Sequence, residues 1–369
     1  MIYMDYGATS FHKPPAVYRA VERAMRTCAN PGRGGYGAAM EASRQVYRCR
    51  EAAAKLFDCL PEQVALTTSC THGMNIAIRS RVKQGGRVVV SGFEHNAVTR
   101  PLHALEAEIT VAGRKLFDWA DTLEGFDRAL VPGVDACIVT HVSNVFGYIL
   151  PIEEIAQMCR ERRIPLILDA AQSAGCLPVK LKALGADFIA MPGHKGLLGP
   201  QGTGLLLCGG EVQPLLYGGT GSASMEQDMP EYLPDRLEAG TLNVPGYAGL
   251  AEGLRFLQRT GEEAIFQREH RQMRRCAEGL KKLGMSVFTG EHQAATVSFL
   301  PGMDCEEAAQ GLAKQGFAVR AGLHCAPFAH ESAGTLSTGT VRVSFGYDAS
   351  DAQTDAFLRA ASKLPRFQK

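Results

Sequence analysis

Short, mainly apolar runs, several rich in β-branched residues, recur along the chain: RVVVSG (87–92), ACIVTHV (136–142), PLILDA (165–170), DFIAMP (187–192) and TGLLLCG (203–209). They do not alternate apolar with polar, so each predicts a strand covered on both faces, as in a parallel sheet wrapped by helices. The segments between them carry helical spacing. In PIEEIAQMCRERR (151–163), Pro151 opens a helix and Ile152, Ile155, Ala156 and Cys159 share one face. GLLGPQGTG (196–204) is too rich in Gly and Pro for regular structure and predicts a loop leading into the last strand.

The texture changes after about residue 255. RTGEEAIFQREHRQMRRCAEGLKKLG (259–284) predicts one helix with a solvated face. Strands follow at ATVSFL (295–300), AVRAG (318–322) and TVRVSF (340–345), with a helix before Gly316 and a terminal helix from Asp351. The expectation is α/β: a large, mainly parallel-sheet domain over 14–255 and a small α+β domain over 256–369, to which residues 1–13 return.

At 369 residues the chain is long enough for that division, and 46% hydrophobic against 21% charged residues suits a packed core. The net charge of +1 leaves no basic footprint for nucleic acid, and no apolar run approaches the ~20 residues that span a bilayer. MIYMDYGATSFHK lacks the basic flank and apolar stretch of a signal peptide, so a cytoplasmic location is expected. Eleven scattered cysteines with no CxxC pair predict neither a zinc ribbon nor a disulfide framework, and no metal site.

In an open parallel sheet, ligands bind where strands end, so the residues after each apolar run carry the information. These are Glu94 and His95, Ser143 and Asn144, Asp169 and Gln172, and His194 and Lys195. Singly, each has a plain reading: Asp169 as a helix cap, His95 as a loop histidine, Lys195 as a solvated lysine. Jointly they place an amine, a carboxylate, an imidazole and phosphate donors at one sheet edge. Pyridoxal phosphate uses that set: a lysine for its aldehyde, a carboxylate at its ring nitrogen and amides or hydroxyls for its phosphate. A magnesium-dependent P-loop would need GxxxxGK[ST], which is absent, as is GxGxxG after the first strand.

At this level of detail the chain resembles the class V, fold-type I pyridoxal-phosphate enzymes, specifically the group II cysteine desulfurase and selenocysteine lyase branch. The matching pieces are YMDYGAT (3–9), TTSCTHGMN (67–75), SGFEHNA (91–97), THVSNVFG (140–147), LDAAQSAG (168–175), PGHKGLLGPQGTG (192–204), RLEAGTLN (236–243), VRAGLHCAP (319–327) and VRVSFGY (341–347). The resemblance implies a pyridoxal 5′-phosphate enzyme with Lys195 as the Schiff-base lysine and Asp169 at the ring nitrogen. It also implies His95 stacked on the ring and active in proton transfer, and Gln172 and Asn144 near the ring oxygen. Cys70, Thr71 and His194 would hold the phosphate, and Thr241 would reach the phosphate of the neighbouring subunit in a homodimer. Arg342, with Asn144 beside it, would hold the substrate carboxylate; the plainer alternative is a strand arginine in a surface ion pair.

Three departures from the family pattern stand out. Pro192 replaces a phosphate-binding Ser, a loss that Gly193 and His194 are expected to offset. Cys70 and His72 stand where Thr and Glu are usual, and Leu323 replaces the first histidine of HHCA. Cys325 decides the reaction. A desulfurase needs an exposed thiolate to take sulfur as a persulfide, which Arg320 and His324 are expected to favour; the alternative is one more small buried cysteine. The resemblance implies conversion of L-cysteine to L-alanine, with a sulfur-acceptor protein as a further partner. Selenocysteine lyase acting on L-selenocysteine, another class V aminotransferase or β-lyase without a persulfide step, and a non-catalytic scaffold stay open.

Overall fold

The computed structural model describes residues 1–32 and 34–365. Residues 366–369 of the expected small domain lie outside it. The five apolar runs form five strands of one seven-stranded sheet. Its order is Val64–Thr67, Gly204–Cys208, Phe188–Pro192, Leu166–Asp169, Ala136–Thr140, Arg87–Ser91, Glu108–Ala112. All neighbours are parallel except Gly204–Cys208, which is antiparallel to both of its partners. The α/β class and the mainly parallel sheet are as the pattern predicts.

Successive residues of each strand feed opposite cores, because strand side chains alternate faces. Val89, Cys137, Leu168 and Ile189 pack in one apolar cluster, and Val88, Val90, Ile138, Ile167 and Ala190 in the other. This two-sided burial is why the runs lack alternation. Two strands went unpredicted. Val64–Thr67 has only three apolar residues, Val64 to Leu66, between polar Gln63 and Thr67, and Glu108–Ala112 is an edge strand whose outward residues are exposed, so neither stands out as a long apolar run.

The helix over Ile152–Arg162 follows Pro151 and buries Ile152, Ile155, Ala156 and Cys159, the face read from spacing. The expected single helix over 259–284 needs correction. Arg259 and Thr260 close the helix Val244–Thr260, in which position 255 also lies, and a second helix spans Glu262–Lys282. Gly261 separates them at φ 86°, a left-handed conformation that glycine adopts at no steric cost.

The C-terminal strands build a four-stranded antiparallel sheet in the order Arg320–Gly322, Thr340–Ser344, Thr296–Leu300, Ser286–Phe288. The run AVRAG therefore divides. Phe317–Ala318 pairs instead with Ile2–Tyr3, in parallel. A third apolar cluster joins Val297, Phe299, Val341 and Val343 to Met4, Met273 and Phe357. Residues 2–10 form a strap from this sheet to the large one: Ser344 N–H donates to Met4 O, and Ser10 N–H donates to His194 O. Among the described residues no helix is long and apolar enough to cross a membrane.

Candidate active site

A cavity of about 230 Å³ lies at the carboxyl ends of the large sheet, closed on its other side by the small sheet and the strap. It brings together nine of the eleven residues singled out from the sequence: Cys70, Thr71, His95, Asn144, Asp169, Gln172, His194, Lys195 and Arg342. Thr241 is exposed and outside the cavity, and Cys325 is an exposed free thiol at its rim, next to the cavity residue His324.

Asp169 ends the strand Leu166–Asp169 and is 2% exposed. Its Oδ1 accepts from Ala171 N–H at 2.9 Å and from the Cys70 thiol at 3.5 Å. Burial, then the Asp169 charge, pushes the Cys70 thiol well up, so it stays protonated and remains a donor. Cys70 begins the helix Cys70–Arg81, whose cap is Ser69: its Oγ accepts from His72 N–H at 3.1 Å. The N–H groups of Cys70 and Thr71 precede the first intrahelical donor, so this helix end faces the cavity with open donors and its positive dipole end.

Lys195 sits in a loop braced by Gly193 N–H donating to Thr203 O (2.8 Å) and Leu198 N–H donating to Lys195 O (2.9 Å). The loop passes against the segment after Asp169 at backbone contact. A Cβ on Gly196 would stand 2.3 Å from Ala174 O, and one on Gly175 would stand 2.4 Å from Gly196 O, so two glycines allow the crossing that aligns Lys195 with Asp169. Burial lowers the lysine pKa, Arg342 lowers it further, and Asp169 opposes both. Gly193 does not offset Pro192, because its N–H is already given to Thr203 O. His194 keeps one ring nitrogen free: its Nδ1 meets Thr9 Oγ1 at 3.0 Å.

His95 caps the helix Asn96–Ala104 with its ring: Nδ1 accepts from Ala97 N–H at 3.0 Å, so the proton of the neutral ring is on Nε2. Burial takes its pKa down to about 4 against the pull of Asp169. The residue before it is fully buried. Glu94 Oε1 accepts from Ser91 Oγ at 2.5 Å and Thr140 N–H at 2.9 Å, tying two strand ends together, and burial raises its pKa to about 8.

On the facing wall Arg342 is 1% exposed. Its Nη1 donates to Asn144 O at 2.9 Å and its Nη2 to Asp5 Oδ1 at 2.5 Å. Asn144 Nδ2 donates to His324 O at 2.7 Å. Asn144 Oδ1 and Arg342 Nε are buried and have no partner. Gln172 Nε2 donates to Gly7 O at 3.0 Å. Cys325 shares a left-handed turn with His324, φ 59° and 50°, pinned where Asn96 N–H donates to Cys325 O at 2.8 Å. Arg320 Nη2 lies 4.0 Å from Cys325 Sγ. The expected help from His324 is corrected: burial, then Arg342, pushes its pKa to about 2, so the ring is neutral and offers the thiol no charge.

Asp5 and Gly7 are members of this constellation that were not singled out from the sequence; Glu94, as a strand-end residue, and Arg320, beside the thiol, were named from it. Asp5 and Gly7 stood within YMDYGAT, but no spacing rule connects position 5 with position 342.

The family description Aminotransferase class-V matches residues 2–357. The chain belongs to the class-V aminotransferase family. The chain is 31% identical to a probable cysteine desulfurase of Methanothermobacter thermautotrophicus, over 94% of this chain and 90% of the relative. It is 30% identical to a probable cysteine desulfurase of Pyrococcus abyssi, over 99% and 94%. Among solved structures, the apo cysteine desulfurase of Thermococcus onnurineus superposes with a TM-score of 0.91 at 30% identity, covering 98% of this chain and 94% of that one. These relatives span nearly the whole chain, small sheet included.

Proposed function

We propose that this chain is a pyridoxal 5′-phosphate-dependent cysteine desulfurase that converts L-cysteine to L-alanine and leaves the sulfur on Cys325 as a persulfide. The observation that carries the reading is one cavity holding a buried amine, a buried carboxylate, an open helix N-terminus and two arginines, with an exposed thiol at its rim. The donor set fits the cofactor end to end. The helix start at Cys70–Thr71 and His194 suit its phosphate, Asp169 its ring nitrogen and Lys195 its aldehyde, while His95 and Gln172 border the ring. When bound, pyridoxal phosphate supplies an electron sink for the α-amino acid.

This chain's residues do the rest. Asp169 would face the ring nitrogen and favour its protonated form. Burial keeps more of Lys195 in the neutral, nucleophilic form than an exposed lysine would have. His95, its Nδ1 occupied, can hold or release a proton only at Nε2. Arg342 holds the substrate carboxylate, and its unpartnered Nε is free to do so. In the sulfur transfer, the C–S bond of L-cysteine breaks and an S–S bond forms to Cys325 Sγ. Of the two thiol protons, one ends on the alanine methyl group and one on the persulfide. Arg320 Nη2 stands beside the attacking sulfur, 4.0 Å from Cys325 Sγ.

The reading extends to a homodimer, supported by Thr241 standing exposed outside its own cavity and by Tyr217 and Met225, 74% and 97% exposed, in the preceding segment. It also extends to two domains meeting at the cavity, a protein acceptor reaching the exposed Cys325, and a reducing, cytoplasmic setting for eleven free cysteines. The test is borohydride reduction of the purified protein and peptide mapping. The expected result is a pyridoxyl group on Lys195, with visible absorbance that shifts when L-cysteine is added and alanine that accumulates. Absence of label at Lys195 in protein supplied with the vitamin contradicts the proposal.

A further inference from the structure

Arg342 is gripped from behind. Asp5 Oδ1 is 2.5 Å from its Nη2, yet Asp5 does not line the cavity that Arg342 faces. The strap carrying Asp5 is fastened to the strand that carries Arg342: Asp5 bridges to Ser344 and Gly7 N–H donates to Ser344 Oγ at 2.7 Å, while Tyr3 Oη braces the strap internally by donating to Asp5 O at 2.9 Å. The strap lies so close that a Cβ on Gly7 would stand 3.1 Å from Arg342 Cζ. Directly opposite Arg342 in the sheet is a second cation, Arg320, which has no carboxylate partner among the described residues. Like charges on directly opposed strand positions repel.

We propose that Asp5 is the positioning residue for substrate-carboxylate recognition: it anchors Nη2 of Arg342 from outside the cavity while Asn144 O takes Nη1, offsets the facing Arg320 and leaves Nε and the remaining N–H groups to one carboxylate. The inference rests on Arg342 being the carboxylate site. A buried guanidinium without its counter-ion would be both costly and free to rotate toward other acceptors. Losing the anchor therefore weakens carboxylate binding in ground and transition states alike, which is a KM effect.

The test uses the full-length holoenzyme, with steady-state kinetics on L-cysteine and calorimetric binding of the product L-alanine. Asp5→Asn is expected to raise KM and the alanine Kd by about tenfold, the scale of one charge-assisted contact, while kcat changes less than about threefold. Asp5→Glu keeps the charge and recovers most of the affinity. Asp5→Asn combined with Arg342→Ala is no worse than Arg342→Ala alone, because the two act through one contact. If Arg342→Ala raises KM and Asp5→Asn does not, the positioning role is wrong and the carboxylate site stands. If Arg342→Ala leaves KM unchanged, the carboxylate site is wrong and the positioning role falls with it. Equal losses in kcat and affinity that Asp5→Glu does not recover would show the strap to be merely structural.

Discussion

The two walls of the cavity are built differently. The large-sheet wall takes its chemistry from the ends of parallel strands: Asp169 is the last residue of its strand, and His95, Asn144 and Lys195 follow theirs within a few residues. The small-sheet wall is assembled from distant pieces: Arg342 from a strand, Asp5 from the strap, and His324 and Cys325 from a strained turn that Asn96 and Asn144 hold in place. The first wall is rigid because its strands are buried on both faces. The second depends on single contacts that reach across the chain, so its failures should be graded where those of the first are abrupt.

The largest expected effect tests the first wall. Lys195→Ala should lower turnover of L-cysteine by about 10³-fold or more while the protein still folds, as shown by unchanged circular dichroism. Retained turnover would remove the amine from the mechanism and erase the contrast. Next comes Arg342→Lys on the second wall, which keeps the charge but loses the fork. It should raise KM by about 10- to 100-fold, matching the 1.5–3 kcal/mol of charged hydrogen bonds, with kcat changed little. Gly7→Ala should be milder, a several-fold rise in KM from about 1 kcal/mol of crowding against the guanidinium. An effect as large as that of Arg342→Lys would mean the strap cannot shift by the few tenths of an ångström this account allows.

The smallest effect concerns stability. Glu94 has a folded-state pKa raised to about 8, from an ordinary 4.5. The folded chain holds this proton across a range where the unfolded chain has released it, so wild-type stability falls as pH rises from 4.5 to 8. Glu94→Gln cannot ionise. Its melting temperature should gain on wild type steadily across that range, with activity near neutrality kept within a few-fold, and a constant difference would contradict a protonated Glu94.

The same contrast explains what the sequence made legible. Asp169, Lys195 and His95 could be found because apolar runs reveal strand ends, and a doubly wound sheet concentrates ligands there. Arg342 and Cys325 were found through motif likeness, since a cysteine among eleven and an arginine within a strand carry no local mark. The partnership of Asp5 with Arg342 was invisible, because contact between positions 337 residues apart is a property of the fold. The same holds for Gly193, whose N–H is spent on Thr203, and for His324, whose burial removes the charge its type suggests. The edge strand Glu108–Ala112 was missed because its outward residues are polar or exposed, and the break at Gly261 because both helices flanking it keep helical periodicity.

The most direct measurement of the central claim is a single turnover of the holoenzyme with L-cysteine, without reductant or acceptor, followed by mass mapping of all eleven cysteines. The account predicts one added sulfur on Cys325 for each alanine formed, and none on Cys70 despite its place in the cavity. Alanine formed with Cys325 unmodified, or sulfur lodged on another cysteine, would contradict it.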